Sequence, residues 1–418
     1  MLELDRIKNN RDSVIEGLKN RGFLDCEKYV DEVIKINEKR KDLKRRYDNL
    51  STELNNLTEE IHRLIMKHEN TDAIKEKVKS KKEVLKDLQE DINKIEYDLV
   101  EKLADIPNVP SKKAPIGKNS NDNVVVYQTP IINHEHKVPH YELIEKFDII
   151  DFELGNKLSG AGFPVYKGVG AKLQRALINF FLDEATEAGF KEHEVPIVLN
   201  KDSFFATGQL PDKEKQMYKT GDSYLIPTAE VPLTNIYRNV IVNEEDLPIK
   251  LTGYTPCFRR EAGSWGKDVR GLNRLHQFDK IEIVEISKQE ESYLTLEKMR
   301  IYVEGLVKKL ELPYRVLALC TGDLGYNAAF TYDIEVYSVG QDLWLEASSI
   351  SNFETYQSNR LNLKYKDKNG KKTLAHTLNG SALALPRIVA ALLEWYYDGE
   401  KIVIPTVLQK YMNMTYIQ

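Results

Sequence analysis

The chain has 418 residues, 41% of them hydrophobic and 30% charged, enough for one large core and a second element. A net charge of −5 excludes a uniformly basic nucleic-acid binder, so a polyanionic partner has to be met by local basic patches. Three widely spaced cysteines (Cys26, Cys257, Cys320) suit neither a disulfide framework nor a zinc knuckle, and no apolar leader or run of about 18 apolar residues points to secretion or a membrane, so a cytoplasmic protein without zinc is expected.

From Tyr29 the apolar residues keep a heptad rhythm: Tyr29, Val33, Ile36, Leu43, Tyr47, Leu50, Leu54, Leu57, Ile61 and Leu64, with Arg40 at the one missing seam position. After a polar turn the rhythm resumes at Ile74, Val78, Leu85, Leu88, Ile92, Ile95 and Leu99, with Lys81 filling a gap. Two such runs predict an antiparallel coiled-coil hairpin with arms at about residues 27–65 and 71–104. Each arm would reach roughly 50 Å, so the hairpin is expected to project from an N-terminal domain over 1–110. Its outer part carries KRKDLKRR (39–46) and KEKVKSKK (75–82), whose Lys39, Arg40, Lys41, Lys44, Arg45, Arg46, Lys75, Lys77 and Lys79 are candidates for RNA contact. A solvated helix face or a dimerisation element is the plainer reading of such charges.

Prolines and a polar stretch mark a linker at 111–122. Over 123–418 short β-rich runs alternate with a few helices, including 169–190, which ends at Gly189, and PRIVAALLEWYY near the C-terminus. SYLIPTAEVPL, YRVLALC (314–320), TYDIEVY (331–337), LWLEASS (343–349) and HTLNGS (376–381) are among the β-rich runs. The pattern predicts an α+β domain, an antiparallel sheet flanked by helices. There is no GxxxxGK[ST] and no GxGxxG.

Residues 258–286 pose the sharpest question. Strand parity puts Arg259 and Glu261 on one face and Arg260 on the other; Arg274, His276, Phe278, Lys280 and Glu282 then share a face opposite Leu275, Gln277, Ile281 and Ile283. One face thus offers cations, an aromatic ring and a carboxylate, suited to a phosphate, a base and an ammonium or hydroxyl. A solvated face with cross-strand ion pairs is the competing reading. Glycines 263, 266 and 271 are expected to let the intervening loop move.

FRRE (258–261), RLHQF (274–278) and Glu282 resemble the second signature motif of class II aminoacyl-tRNA synthetases, and TPCFRREAGSWGKDVRGLNRLHQFDKIE resembles the seryl-tRNA synthetase family. ATGQLP, IPTAEVPLTN, LCTGDLG, TYDIEV, EASS and HTLNGSALALPR follow in that family's order, so the resemblance runs end to end, the N-terminal coiled-coil arm included. It implies a class II synthetase-like fold and a homodimer, with the helix at 169–190 as an interface element. The implied activity joins L-serine to ATP, releasing diphosphate, and passes the seryl group to the 3′-terminal adenosine of tRNA(Ser), with tRNA(Sec) an open second acceptor. It also implies an ATP set of Arg259, Arg260, Glu261, Leu275, His276, Gln277, Phe278, Glu346, Ala347, Ser348, Ser349 and Arg387. Of these, Arg259, Glu261 and Arg387 are implied as catalytic, and Glu346 with Ser349 as holding Mg2+ through ATP. Serine would sit among Thr228, Ala229, Glu230, Glu282, Asn379 and Ser381.

Ala382 and Pro386 stand where the third motif of the class has glycines. Proline is tolerated only in a first turn, so the closing helix should begin near 383–386 and place Arg387 at its N-terminal end. His134-Glu135-His136 reads as a solvated strip, not a metal site. Two alternatives stand beside the family reading: a synthetase-like paralogue that loads a carrier protein, and a non-catalytic RNA-binding protein on a synthetase scaffold. The basic rod counts against the first, and retention of Arg259, Glu261, Glu282, Glu346 and Arg387 against the second.

Overall fold

The computed structural model describes residues 1–131, 134–212, 215–261 and 270–418, so Gly263 and Gly266, expected to lend the loop movement, lie outside the described residues. The chain divides into two compact units, one holding Leu2–Lys19 and Phe23–Pro107, the other Met1, Asn20–Gly22 and Asn108–Gln418.

The first unit consists of α1 (Leu4–Asn9), α2 (Arg11–Asn20, whose last residue belongs to the second unit), α3 (Cys26–Met66) and α4 (Asp72–Ala104). The last two pair along the apolar seam, burying Val33, Leu43, Leu54, Leu88, Ile92, Ile95 and Leu99. Cross-arm ion pairs fix the antiparallel direction: Glu32 meets Lys102 at 2.9 Å, Lys44 meets Glu96 at 2.5 Å, and Glu53 meets Lys81 nearer the tip. Lys81 thus fills its seam gap by pairing across it. Arg40 is half-buried at the seam with its Nε buried and unpartnered, so it is packed as well as charged. Lys39, Lys41, Lys44, Arg45, Arg46, Lys75, Lys77 and Lys79 are exposed.

The second unit is built on an eight-stranded sheet. In chain order its strands are β1 (Val124–Gln128), β2 (Lys191–Glu192), β3 (Ile249–Phe258), β4 (Gln277–Ser287), β5 (Tyr314–Ala318), β6 (Phe330–Ser338), β7 (Leu343–Asn352) and β8 (His376–Ala384). Their spatial order is β1-β5-β6-β7-β8-β4-β3-β2, antiparallel throughout except for the β2–β3 edge pair. Helices α5 (His140–Phe147), α6 (Val169–Glu187), α7 (Ser292–Lys309) and α8 (Leu385–Trp395) belong to this unit, and α6, α7 and α8 supply much of the core against one sheet face. Ile281 and Ile283 of β4 enter that core, while Lys280 and Glu282 turn to the other face.

Alternation of apolar and polar residues explains β4 and β8, each buried on both faces: one face meets helices and the other closes over a polar cleft. Helix α6 stops where Gly189 takes φ +85°, a conformation without penalty only for glycine. SYLIPTAEVPL divides in a way its apolar content does not show. Only Ser223–Leu225 is strand, and Glu230–Asn235 is a short helix with Pro232 in its first turn. Among the described residues no helix is long and apolar enough to cross a membrane.

Candidate active site

Two adjoining cavities open on the polar face of the sheet. The larger, about 500 Å3, is floored by β4, β6, β7 and β8 and walled by the segments 208–212, 216–217 and 325–328. Register sets the floor: Glu282 lies beside Ser381, Ser351 beside Asn379, and Thr331 beside Ser351. Thr228 and Glu230 reach over it from the turn that starts the short helix Glu230–Asn235.

At its deep end sits a buried charge cluster. The Thr228 hydroxyl donates to Glu282 Oε2 at 2.9 Å, while Lys280 Nζ donates to the Thr228 hydroxyl at 2.8 Å and to Glu282 Oε2 at 2.5 Å. Glu230 Oε1 accepts from Gln357 Nε2 at 2.5 Å. All of these residues are buried, and burial leads the other influences in raising both carboxyl groups above the usual range. Glu230 is pushed up to about 7, with the Glu282 charge adding to the effect; Lys280 opposes the rise at Glu282. Ionised, the cluster carries two negative charges against one positive, so it lacks one cation. It has room and polarity for a small ammonium-bearing molecule.

The second cavity, about 60 Å3, shares Arg259, Glu261, Arg274, Lys280, Glu346 and Ser381 with the first and adds Phe278, Leu275, Ala347, Ser348 and Arg387. Arg259 lies 5.3 Å from the Phe278 ring centroid, and its Nε donates to Pro227 O at 3.4 Å. Glu261 and Arg274 pair at 3.3 Å. Arg387 Nη1 donates to Glu346 O at 2.5 Å and stands 3.5 Å from its carboxylate. Helix α8 begins at Leu385 with Pro386 in its first turn, so Arg387 does occupy the N-terminal end, where the helix dipole favours an anion. Arginines, a carboxylate and a half-buried aromatic ring in one small cleft suit a nucleotide.

The structure therefore brings together Thr228, Glu230, Arg259, Glu261, Phe278, Glu282, Glu346, Ser349, Asn379, Ser381 and Arg387, with Leu275, Ala347 and Ser348 beside them. Four expected residues stand apart from both cavities. Ala229 is fully buried in apolar packing. Arg260 is exposed, its backbone N–H donating to Gln216 O at 2.8 Å, and Gln277 is exposed at the start of β4. His276 stacks on Phe163 at 5.4 Å and lies 3.1 Å from the Tyr218 hydroxyl. The reason is that β4 starts at Gln277: alternation extended upstream assigns His276 to the cleft and Leu275 to the core, whereas Leu275 lines the cleft.

Sequence reasoning passed over Gln357, which holds Glu230, and gave Lys280 no role beyond its face. His134, read as solvated, has its ring nitrogens 2.8 Å from His136 O and from Trp395 O.

Comparison with known proteins matches both parts of the chain. Residues 1–110 match the seryl-tRNA synthetase N-terminal domain, and residues 215–396 the class II tRNA synthetase core domain (G, H, P, S and T). A serine--tRNA ligase of Mesoplasma florum is 42% identical over 423 residues, covering 100% of both chains. Another, of Salinibacter ruber, is 44% identical over 402 residues, covering 94% of each. The crystal structure of seryl-tRNA synthetase from Pyrococcus horikoshii complexed with ATP superposes with a TM-score of 0.91 at 34% identity, covering 100% of this chain and 99% of that one. From motif order, fold and full-length identity together, the chain belongs to the seryl-tRNA synthetase family.

Proposed function

We propose that the protein activates L-serine with ATP and transfers it to the 3′-terminal adenosine of tRNA(Ser), acting in the cytoplasm as a homodimer. The observation that carries this reading is the buried, cation-deficient Thr228–Glu230–Lys280–Glu282 cluster opening onto the arginine-lined cleft. The two cavities share Arg259, Glu261, Arg274, Lys280, Glu346 and Ser381, so an amino acid at the deep end of the larger and an adenine at Phe278 would meet with the phosphates between them.

In the first step a serine carboxylate oxygen attacks the α-phosphorus of ATP, and the bond to diphosphate breaks. No covalent protein nucleophile is needed; the barrier falls through positioning and neutralisation of phosphate charge. Arg259, shared by both cavities, is assigned the α-phosphate and the serine carboxylate, Phe278 the adenine face, Glu261 the adenine amino group and Arg387 the γ-phosphate. Glu230 and Glu282 hold the serine ammonium and hydroxyl, with Thr228, Asn379 and Ser381 completing the pocket. In the second step the terminal ribose hydroxyl attacks the seryl carbonyl and AMP leaves.

Among the described residues no cluster of three or more His, Cys, Asp or Glu would hold a metal by itself, so a magnesium ion is assigned a place shared between protein oxygens and the ATP phosphates. Glu346 and Ser349 line the larger cavity, and cross-strand from Ser349 lies Asp333, whose Oδ1 is buried without a hydrogen-bond partner. Glu346 and Ser349 would hold Mg2+, which when bound with ATP supplies positive charge against its phosphates.

The basic stretches of α3 and α4 are assigned to the tRNA body, with residues 1–110 as the tRNA-binding domain and 123–418 as the catalytic one. The dimer contact is assigned to α6 and the exposed edge strand β2. Incubation with radiolabelled serine, ATP and purified tRNA(Ser) tests the transfer. The expected product is an alkali-labile, ribonuclease-sensitive ester; label that stays as free serine or seryl-adenylate, with none on the tRNA, would overturn the assignment of tRNA as acceptor.

A further inference from the structure

Behind the second cavity lies a polar network that neither the mechanism nor the motifs use. His140 opens α5 and Glu394 sits in the last turn of α8, and both side chains are completely buried. Glu394 Oε1 accepts from the His140 backbone N–H and from His140 Nδ1, each at 2.8 Å. Its Oε2 accepts from the Ser338 hydroxyl at 2.5 Å and from Gly340 N–H at 3.0 Å. A buried carboxylate so supplied with donors is held in one orientation.

These partners settle the imidazole tautomer: Nδ1 carries the proton toward Glu394, and Nε2 is left as an acceptor. What it accepts is the Leu272 backbone N–H, at 2.9 Å. The chain arrives there through Gly271 at φ +70°, where an added Cβ would lie 2.3 Å from His140 Nε2, so only glycine lets the backbone cross the ring. The next residue, Asn273, donates through its side chain to Gln341 Oε1 at 2.8 Å, and its carbonyl accepts from Arg387 Nε at 3.3 Å.

Arg387 and Glu394 are seven residues apart on α8 and so share one helix face. From that face, one grips the Asn273 carbonyl directly and the other grips the neighbouring Leu272 amide through His140. Leu272, Asn273, Arg274 and Leu275 form a wall of the second cavity, with Arg387 beside them.

We propose that His140, held by Glu394, is a positioning residue for ATP: it fixes the stem 271–275 against the helix that carries Arg387. This rests on the assignment of the second cavity to ATP. Neither residue reaches the cavity itself, so the effect is on where the wall stands.

The test compares full-length H140F, which fills the ring's place without an acceptor, with H140Q, whose amide oxygen can accept from Leu272. Hydrogen exchange over residues 270–275 and serine-dependent ATP–diphosphate exchange are measured for both and for wild type. H140F is expected to lose protection at Leu272 and to raise KM for ATP about tenfold or more while KM for serine holds; H140Q is expected to restore most of both. Unchanged protection in H140F, or lost protection with an unchanged KM for ATP, would overturn the proposal. So would equal rises in both KM values, which indicate general loosening. The protection measurement needs no nucleotide. It therefore still decides the anchor if wild type shows no exchange, a result that would strike the ATP assignment instead.

Discussion

Glu230 is the residue on which the pocket's pH behaviour turns. Burial, with help from Glu282, pushes its carboxyl up to about 7. Below that pH it binds a proton and can no longer balance an ammonium. KM for serine is therefore predicted to rise as pH falls below 7, approaching about tenfold per unit, and E230Q to have a high KM with little pH dependence. Steady-state kinetics from pH 6 to 8.5 decides it; an unaltered profile in E230Q would remove Glu230 from ammonium recognition. Linkage sets the sign for stability. A carboxyl raised in the folded state holds its proton while the unfolded chain has released it, so this contribution weakens as pH climbs from the ordinary carboxylate range through 7. Thermal melts of E230Q should show a shallower decline over that interval than wild type. The need for a cation partner in this cluster was only half legible. Parity puts Lys280 and Glu282 on one face, but Lys280 meets Thr228 across 52 positions of sequence, a contact that depends on the whole sheet.

At the scale of elements, the heptads of α3 and α4 were readable because a sustained seam has few other solutions, and even the seam gap at Lys81 resolves into a cross-arm pair with Glu53. The start of α8 followed from the steric limits of Pro386. What failed was parity at Leu275 and His276, since alternation has meaning only inside a strand and β4 begins at Gln277. The basic stretches differ in how free they are. Lys41 pairs with Glu38 at 3.4 Å, Arg45 with Asp42 at 2.7 Å and Lys44 with Glu96, while among the described residues Lys75, Lys77 and Lys79 have no ion pair within 4.0 Å. The triple variant K75E/K77E/K79E is accordingly predicted to raise KM for tRNA(Ser) at least tenfold and to flatten its salt dependence by about one unit of log–log slope per lost phosphate contact. Exchange assayed without tRNA supplies the reference rate. If charging keeps wild-type salt dependence, these lysines are a solvated face and no more.

For the whole molecule, motif order along the chain was more informative than any single motif, and it held over the full length. Strand order was not legible. β4 sits between β3 and β8, and the β4–β8 pairing joins segments about a hundred residues apart, which local pattern does not encode. Yet that pairing puts Glu282 next to Ser381 and so builds the floor of the pocket proposed for the amino acid. The central claim, that this pocket and the neighbouring arginine cleft join serine to AMP, is tested most directly by ATP–diphosphate exchange across all twenty amino acids, with purified protein and no tRNA. Exchange with serine alone is expected. Exchange with a different amino acid would contradict the roles given to Thr228, Glu230 and Glu282, and exchange with none would contradict the catalytic reading altogether.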